Sequence, residues 1–187
     1  MNSGRASFWS SPWLFAAAAI LLVLFLVAVL PGESARAART TPEGASYDLS
    51  LFYTPAEAFE KAAAHSVEGR FAYIAARWSF DLAFPLVYGL FAFTGWAFAL
   101  ARLGSRAAEL RGLAFVALLG PVLDFVENIA ATVIMASVPA RPPGWGIAAS
   151  LATPLKWVFV VVGLGGAVAL PVAAAIRALA LRARSGG

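Results

Sequence analysis

Three polar side chains interrupt one of the most apolar stretches of this chain. Asp124, Glu127 and Asn128 lie near the middle of residues 113–138, a run long enough to cross a bilayer as a helix. Their spacing of i, i+3 and i+4 places the three side chains on one helical face. A charged residue at the centre of a membrane helix costs roughly 2.5–3.5 kcal/mol on insertion scales. We therefore predict that a neighbouring surface supplies polar partners for all three.

Two other apolar runs carry chemistry-bearing residues. Arg77, Asp81, Pro85 and Tyr88 follow one another at intervals of four, four and three, so they form one stripe along a helix. Pro85 has no N–H, which leaves the carbonyl of Asp81 without its helical donor. Lys156, followed by Trp157, is the only charge deep in the last run. Small residues share its face, so we expect Lys156 to point towards another helix. They are Ala149, Ala152, Thr153, Gly163 and Ala167, with Val160 beside them.

The composition is that of an integral membrane protein. The chain has 187 residues, of which 61% are hydrophobic and 13% charged, whereas soluble domains carry about 25% charged residues. The net charge of +4 comes from arginines that flank apolar runs, which argues against a nucleic-acid partner. With no cysteine and a single histidine, His65, the chain has no thiolate or histidine-rich metal site, and we expect no cofactor and no metal.

Hydrophobicity predicts an all-α, polytopic membrane protein: a four-helix bundle in one domain, residues 1–187. The spans are expected at about 13–30, 71–101, 113–138 and 147–180, with an extracytoplasmic loop at 31–70. Gly120 and Pro121 predict a kink before Asp124. The first run can also be taken for a signal peptide, because Ala35, Arg36 and Ala37 form an A-x-A site. Its length favours retention as an anchor.

The 31–70 loop contains a helix signal. Thr54, Pro55 and Glu57 form a capping box with proline at the first helical position, which predicts a short amphipathic helix over about 55–65. This helix would lie on the membrane surface or on top of the bundle, or act as a lid over a pocket.

The distribution of Lys and Arg predicts the orientation. The N-terminal arm, second loop and tail carry one, three and three of them, against four and one in the first and third loops, and the first loop also has six acids. We therefore expect both termini in the cytoplasm. The heavy use of Ala, and of Arg over Lys, indicates a bacterial protein, which we expect in the inner membrane. Counted from the outer helix ends, Asp81, Glu127 and Lys156 lie about 15 Å deep at 1.5 Å per residue, and so at one level.

The charges at that level do not balance. Asp81, Asp124 and Glu127 face Lys156, and Arg77 can neutralise one more carboxylate. The remaining charge must be protonated, hydrated or matched by a cation. Two interpretations stay open: polar contacts that hold the helices together, or a functional site in which a buried carboxyl carries a proton or binds a ligand.

The functional interpretation divides into two classes. The first is a pocket near the outer leaflet, with Asp81, Tyr88, Asp124, Glu127, Asn128 and Lys156 as site residues and Arg77 and Trp157 in support. It would bind a lipid-like or small polar ligand, and membrane lipids would be its partners. The second is a proton- or cation-handling transporter, or an accessory subunit of a larger membrane complex. Four helices are few for a complete transport path, so this class implies a homo-oligomer or such a complex. Whether the protein is an enzyme stays open.

One family resemblance bears on the first class. Four spans, a loop after the first helix, and an acid followed by proline and tyrosine in residues 81–88 resemble the EXPERA family of sterol isomerases. The resemblance implies a lipid or sterol substrate and proton transfer by carboxyls. The chain departs from the family in having no histidine in the bundle, and Asp124, Glu127 and Asn128 have no counterpart among the catalytic residues of that family.

Overall fold

A computed structural model describes residues 8–103 and 110–185, whose regular secondary structure is entirely helical. Arg5 and Arg106, which contribute to the orientation prediction, lie outside the described residues. After a 3-10 turn at Phe8–Ser10 the elements follow in chain order. They are α1 (Pro12–Leu24), a π-helical turn (Phe25–Val29), α2 (Leu30–Thr40), α3 (Pro55–Ala64), α4 (Val67–Arg77), α5 (Phe80–Leu100), a 3-10 helix (Arg111–Leu118), α6 (Leu119–Ser137) and α7 (Trp145–Ser185).

These elements form four continuous or nearly continuous helical segments that are long and apolar enough to cross a membrane. They are Pro12–Thr40, Val67–Leu100, Arg111–Ser137 and Trp145–Ser185. The protein is therefore an all-α membrane protein with a four-helix bundle, as predicted. The first segment is longer than its apolar run, because helix continues from Leu30 to Thr40. The second is broken at Trp78 and Ser79, between α4 and α5.

Aromatic stacking attaches the first helix to the bundle. Phe15 stacks on Phe91 with 5.5 Å between ring centroids, and Phe25 stacks on Phe84 at 5.6 Å. The order of these pairs makes the first helical segment, Pro12–Thr40, antiparallel to α5. Most other side chains of α1 are exposed and apolar, as expected of a surface that faces lipid.

Small residues let α5, α6 and α7 approach closely. A Cβ atom added to Gly95 would lie 2.8 Å from the Cβ of Ala167, and one added to Gly120 would lie 3.1 Å from the backbone nitrogen of Val160. Such contacts let van der Waals packing stabilise helices that gain nothing from hydrophobic association in lipid. The prediction that the Lys156 face packs inward is confirmed, because Ala149, Ala152, Thr153, Gly163 and Ala167 are all buried.

At one end of the bundle, α3, α4 and the adjoining turns of α6 and α7 enclose a compact core. Its buried side chains are Tyr47, Tyr53, Ala58, Ala62, Tyr73, Ala130, Ala131, Ile134, Met135 and Ala149. Helix α3 begins as predicted: Thr54 and Glu57 form both hydrogen bonds of the capping box. Residues 41–54, which connect α2 to α3, lie over this core, and we call them the cover segment.

Candidate functional site

The Lys156 ammonium lies among three carboxylates. Its Nζ contacts Glu127 Oε2 closely, and lies 3.4 Å from Asp124 Oδ1 and 3.9 Å from Asp48 Oδ1. The Lys156 side chain is only 5% exposed and that of Glu127 is fully buried. An ammonium in this position is stabilised only because three carboxylates surround it.

Arg77 forms the second cationic centre. This residue ends α4, next to the helix break before α5, and its side chain is buried. Its guanidinium contacts both oxygens of Asp48 and lies 2.8 Å from Asp81 Oδ2, with a further hydrogen bond of 3.3 Å to Asn128 Oδ1. The planar fork of an arginine matches a carboxylate in this bidentate way. Asp48 therefore bridges Arg77 and Lys156.

Asn128 satisfies the carbonyl that Pro85 leaves free. Its Nδ2 donates to the backbone oxygen of Asp81 at 3.0 Å. Because Pro85 has no amide hydrogen, that oxygen would otherwise be buried without a donor. The polar side chain on α6 thus repairs the backbone of α5 while its other end contacts Arg77.

Hydroxyl groups complete the surroundings of the carboxylates. Tyr88 donates to Asp124 Oδ2 at 3.0 Å, while Tyr53 at 3.3 Å and Thr153 more closely donate to Glu127 Oε1. Burial, and after it the charge of Glu127, raises the pKa of Tyr53 in the cover segment, so this phenol stays a protonated donor.

The cover segment lies over these carboxylates and contributes one of its own, Asp48. Of its two acids, Glu43 is exposed and Asp48 is half-buried. At 30%, the Asp48 side chain is the most exposed of the four carboxylates that pair with Arg77 or Lys156. Burial by itself raises the pKa of Asp48, but Arg77 and Lys156 overcome this effect and hold the pKa below its ordinary value. Nearby, Trp157 Nε1 donates to the Ser50 carbonyl at 3.2 Å, and the Trp157 ring lies 5.5 Å from Lys156 Nζ. The expected pocket is therefore covered in this structure.

The structure brings together all eight site residues named from the sequence. We call the charged groups the ion-pair cluster: Asp48, Arg77, Asp81, Asp124, Glu127 and Lys156. Asp48, Tyr53 and Thr153 were missed. Thr153 lies one helical turn before Lys156, so its position could have identified it as a site residue. No periodicity identifies Asp48 or Tyr53, because they lie in an irregular segment.

Asp48 increases the excess of negative charge at the site. Four carboxylates now face two cations, so the ion-pair cluster has a net charge of −2 when every group is ionised. Oxygens of Asp48, Asp124 and Glu127 lie within 4.8 Å of one another, the kind of arrangement that holds a cation. The Lys156 ammonium already contacts all three and fills that place.

The uncharged runs that follow Asp81 and Lys156 are of membrane length. Twenty uncharged residues follow Asp81, at 82–101, and twenty follow Lys156, at 157–176. At 1.5 Å per residue each run spans about 30 Å, the thickness of the hydrocarbon core. The depth of about 15 Å was counted from the helix ends, and the outer turns of α6 and α7 that it includes pack against α3 and the cover segment.

Comparisons with known proteins assign the chain to no family. No protein-family model matches the chain, and no curated protein or solved structure does. The resemblance to the EXPERA family therefore rests on topology and residues 81–88 alone. The contacts within the ion-pair cluster are the basis for any function assigned below.

Proposed function

We propose that the protein binds the positively charged head of a membrane-soluble amphiphile in the ion-pair cluster, with the cover segment as a movable closure. The lipid-like part would lie along the bundle, and the head would enter at the boundary of the apolar layer. The observation that carries the proposal is the excess of two carboxylates beneath a separate chain segment.

Charge supports a cationic head. With four carboxylates against Arg77 and Lys156, an added ammonium reduces the net charge from −2 to −1. A buried excess charge is costly unless it is protonated or paired. An anionic head would add to the excess and is disfavoured for the same reason.

Aromatic rings support the same choice. The guanidinium of Arg77 lies 4.4 Å from the centroid of Tyr73, and the ring of Trp157 lies close to Lys156. Ring faces attract cations, and cages of aromatic and acidic groups recognise ammonium ligands. The walls of this site already hold two cationic groups in that manner.

The cover segment provides a route of entry. Asp48 belongs to the cover segment, and its partners Arg77 and Lys156 belong to α4 and α7. A ligand ammonium that pairs with Asp124 or Glu127 would weaken the hold of Lys156 on Asp48. Binding and movement of the cover segment are thereby coupled through shared ion pairs.

Thermal unfolding in nanodiscs tests the proposal with two probes of equal chain length, dodecylamine and dodecanol. We expect dodecylamine to raise the midpoint of the wild type more than dodecanol does. Glu127→Gln should lose most of this difference, because the amide has no charge to pair. Glu60→Gln, which changes an exposed acid on α3, should keep it. Equal responses to the amine and the alcohol would overturn the proposal.

The same charge excess favours a second function, proton handling in a transporter or in a subunit of a larger complex. Protons are the smallest groups that balance a closed, net-negative cluster. Because the folded protein must release them as the pH rises, its stability should fall with rising pH between about pH 5 and pH 8. Glu127→Gln should flatten this profile. A flat profile in the wild type would exclude this function.

A further inference from the structure

The opposite end of the bundle has a different charge pattern. Within residues 8–103 and 110–185, its charged residues are Arg102, Arg111, Arg177, Arg182 and Arg184. Among the described residues of this half, at 8–30, 82–103, 110–123 and 157–185, there is no acidic side chain. We call this half the arginine end. Nothing in it neutralises the arginines from within the described chain, so anions from outside are their natural partners.

A groove of about 400 Å³ lies between α5 and α7 at the arginine end. Its apolar walls include Phe98, Ala174, Ala178 and Leu181, and Arg102 and Arg177 are part of its lining. Both arginines are exposed. The Arg102 guanidinium lies 3.7 Å from the centroid of the Phe98 ring and donates to the Ser10 carbonyl at 3.2 Å, which holds it at the groove.

The groove follows from the packing above it. Helices α5 and α7 are in tight contact at Gly95, where an added Cβ would lie 3.0 Å from the Ala167 carbonyl oxygen. Four residues later Pro171 lacks the amide that would donate to that carbonyl. Beyond Gly95, α5 has only five more residues, to Leu100, whereas α7 continues beyond Pro171 to Ser185. The helices are close on one side of Pro171 and leave space on the other.

We expect the two arginines at the level of the lipid phosphates. Arg102 ends the uncharged run 82–101, and Arg177 ends the uncharged run 157–176. Each run is about as long as the hydrocarbon core is thick, so a bundle that crosses the membrane with these runs has both guanidinium groups at the surface of the same leaflet. Basic pockets between membrane helices at this level recognise anionic head groups.

We propose that this groove is a binding site for an anionic phospholipid. One acyl chain would lie against Phe98, Ala174 and Ala178, and the phosphate would lie between Arg102 and Arg177. The site is separate from the ion-pair cluster and opposite to it in charge. An amphiphile with a cationic head does not fit here, and an anionic one does not fit there.

Native mass spectrometry of the detergent-solubilised full chain tests the proposal. Phosphatidylglycerol and phosphatidylcholine with the same acyl chains are titrated separately, and glycerol 3-phosphate serves as a competitor without chains. We expect phosphatidylglycerol to bind more tightly than phosphatidylcholine, and glycerol 3-phosphate not to displace it. Displacement by glycerol 3-phosphate at equal concentration would overturn the proposal, because the groove would then hold no acyl chain.

Matched variants locate the site. Each basic residue near a membrane surface contributes about 1 kcal/mol, or roughly fivefold in affinity, so Arg102→Gln with Arg177→Gln should weaken phosphatidylglycerol binding about 25-fold. Arg182→Gln with Arg184→Gln removes the same charge outside the groove and should change it little. Equal losses from the two pairs would show diffuse attraction and overturn the proposal.

Two single changes keep the test decisive if the Arg102 variant unfolds. Arg177→Gln alone, at an exposed position, should cost about fivefold. Ala178→Phe fills the groove without changing the charge, and should weaken both phospholipids. Unaltered binding in either variant would show that the groove is not the site.

Discussion

The two ends of the bundle use charge in opposite ways. At the covered end, built from the cover segment, α3, α4 and the ion-pair cluster, the cations Arg77 and Lys156 are buried and paired with acids of the same chain. At the arginine end, Arg102 and Arg177 are exposed, and no acid of the described residues accompanies them. Buried charges must find partners within the fold, whereas charges at the membrane surface find them in water or lipid. The ion pairs of the covered end therefore determine how its helices pack, whereas the arginines of the other end favour one orientation of the chain in the membrane.

The largest expected effect is in labelling, because membrane sidedness is all or none. The chain has no cysteine, so Glu43→Cys in the cover segment and Arg184→Cys at the arginine end each provide one reactive site. A membrane-impermeant maleimide should label the first in intact spheroplasts and the second only after lysis, because positive loops stay in the cytoplasm. The reverse pattern would show that the arginine end is extracytoplasmic.

The next largest effect is the loss of stability when a paired cation is removed. Lys156→Met leaves Asp48, Asp124 and Glu127 facing one another, and should lower the free energy of unfolding by about 3–5 kcal/mol. Lys156→Glu should be worse, because it adds a fifth carboxylate. Arg177→Met, at the exposed arginine end, should change stability by less than about 0.5 kcal/mol. The measurement is reversible unfolding in mixed micelles, and similar losses at positions 156 and 177 would erase the contrast between the ends.

A packing change should have a smaller effect. Gly95→Ala places a methyl group 2.8 Å from the Ala167 side chain and should cost about 1–3 kcal/mol through overpacking. Gly165→Ala is the control, because no heavy atom lies within 4 Å of the added Cβ. If the control is as unstable as Gly95→Ala, helix approach does not decide stability near the arginine end. Both midpoints are compared in the same detergent.

The smallest effect tests the repair of the α5 backbone. Asn128→Leu should cost about 1 kcal/mol, in the range of measured hydrogen bonds within membranes. Pro85→Ala restores an amide donor to the Asp81 carbonyl, so the double variant should lose less than Asn128→Leu alone. A double-mutant cycle measures this coupling. Additive losses would mean that Asn128 acts only through Arg77.

The sequence was sufficient for the elements and for most of the candidate site. Hydrophobic runs located four helices, and the spacing of Thr54 and Glu57 located α3, because helix formation depends on near neighbours. Opposite charges in different runs indicated the Lys156–Glu127 pair, and the spacing of four residues indicated the Arg77–Asp81 pair. The depth of about 15 Å stays a prediction, because it was counted from the helix ends and the outer turns of α6 and α7 belong to the core under the cover segment.

What the sequence alone determined is what hydrophobicity and charge carry locally: four apolar helices, uncharged runs of membrane length and arginines at their ends. Only the tertiary structure decided that Asp48 joins Arg77 and Lys156, 29 and 108 residues away in the chain, and that Tyr53 and Thr153 meet at Glu127. An irregular segment has no periodicity that fixes its position. Its position is set by packing between distant parts of the chain, which no local pattern records.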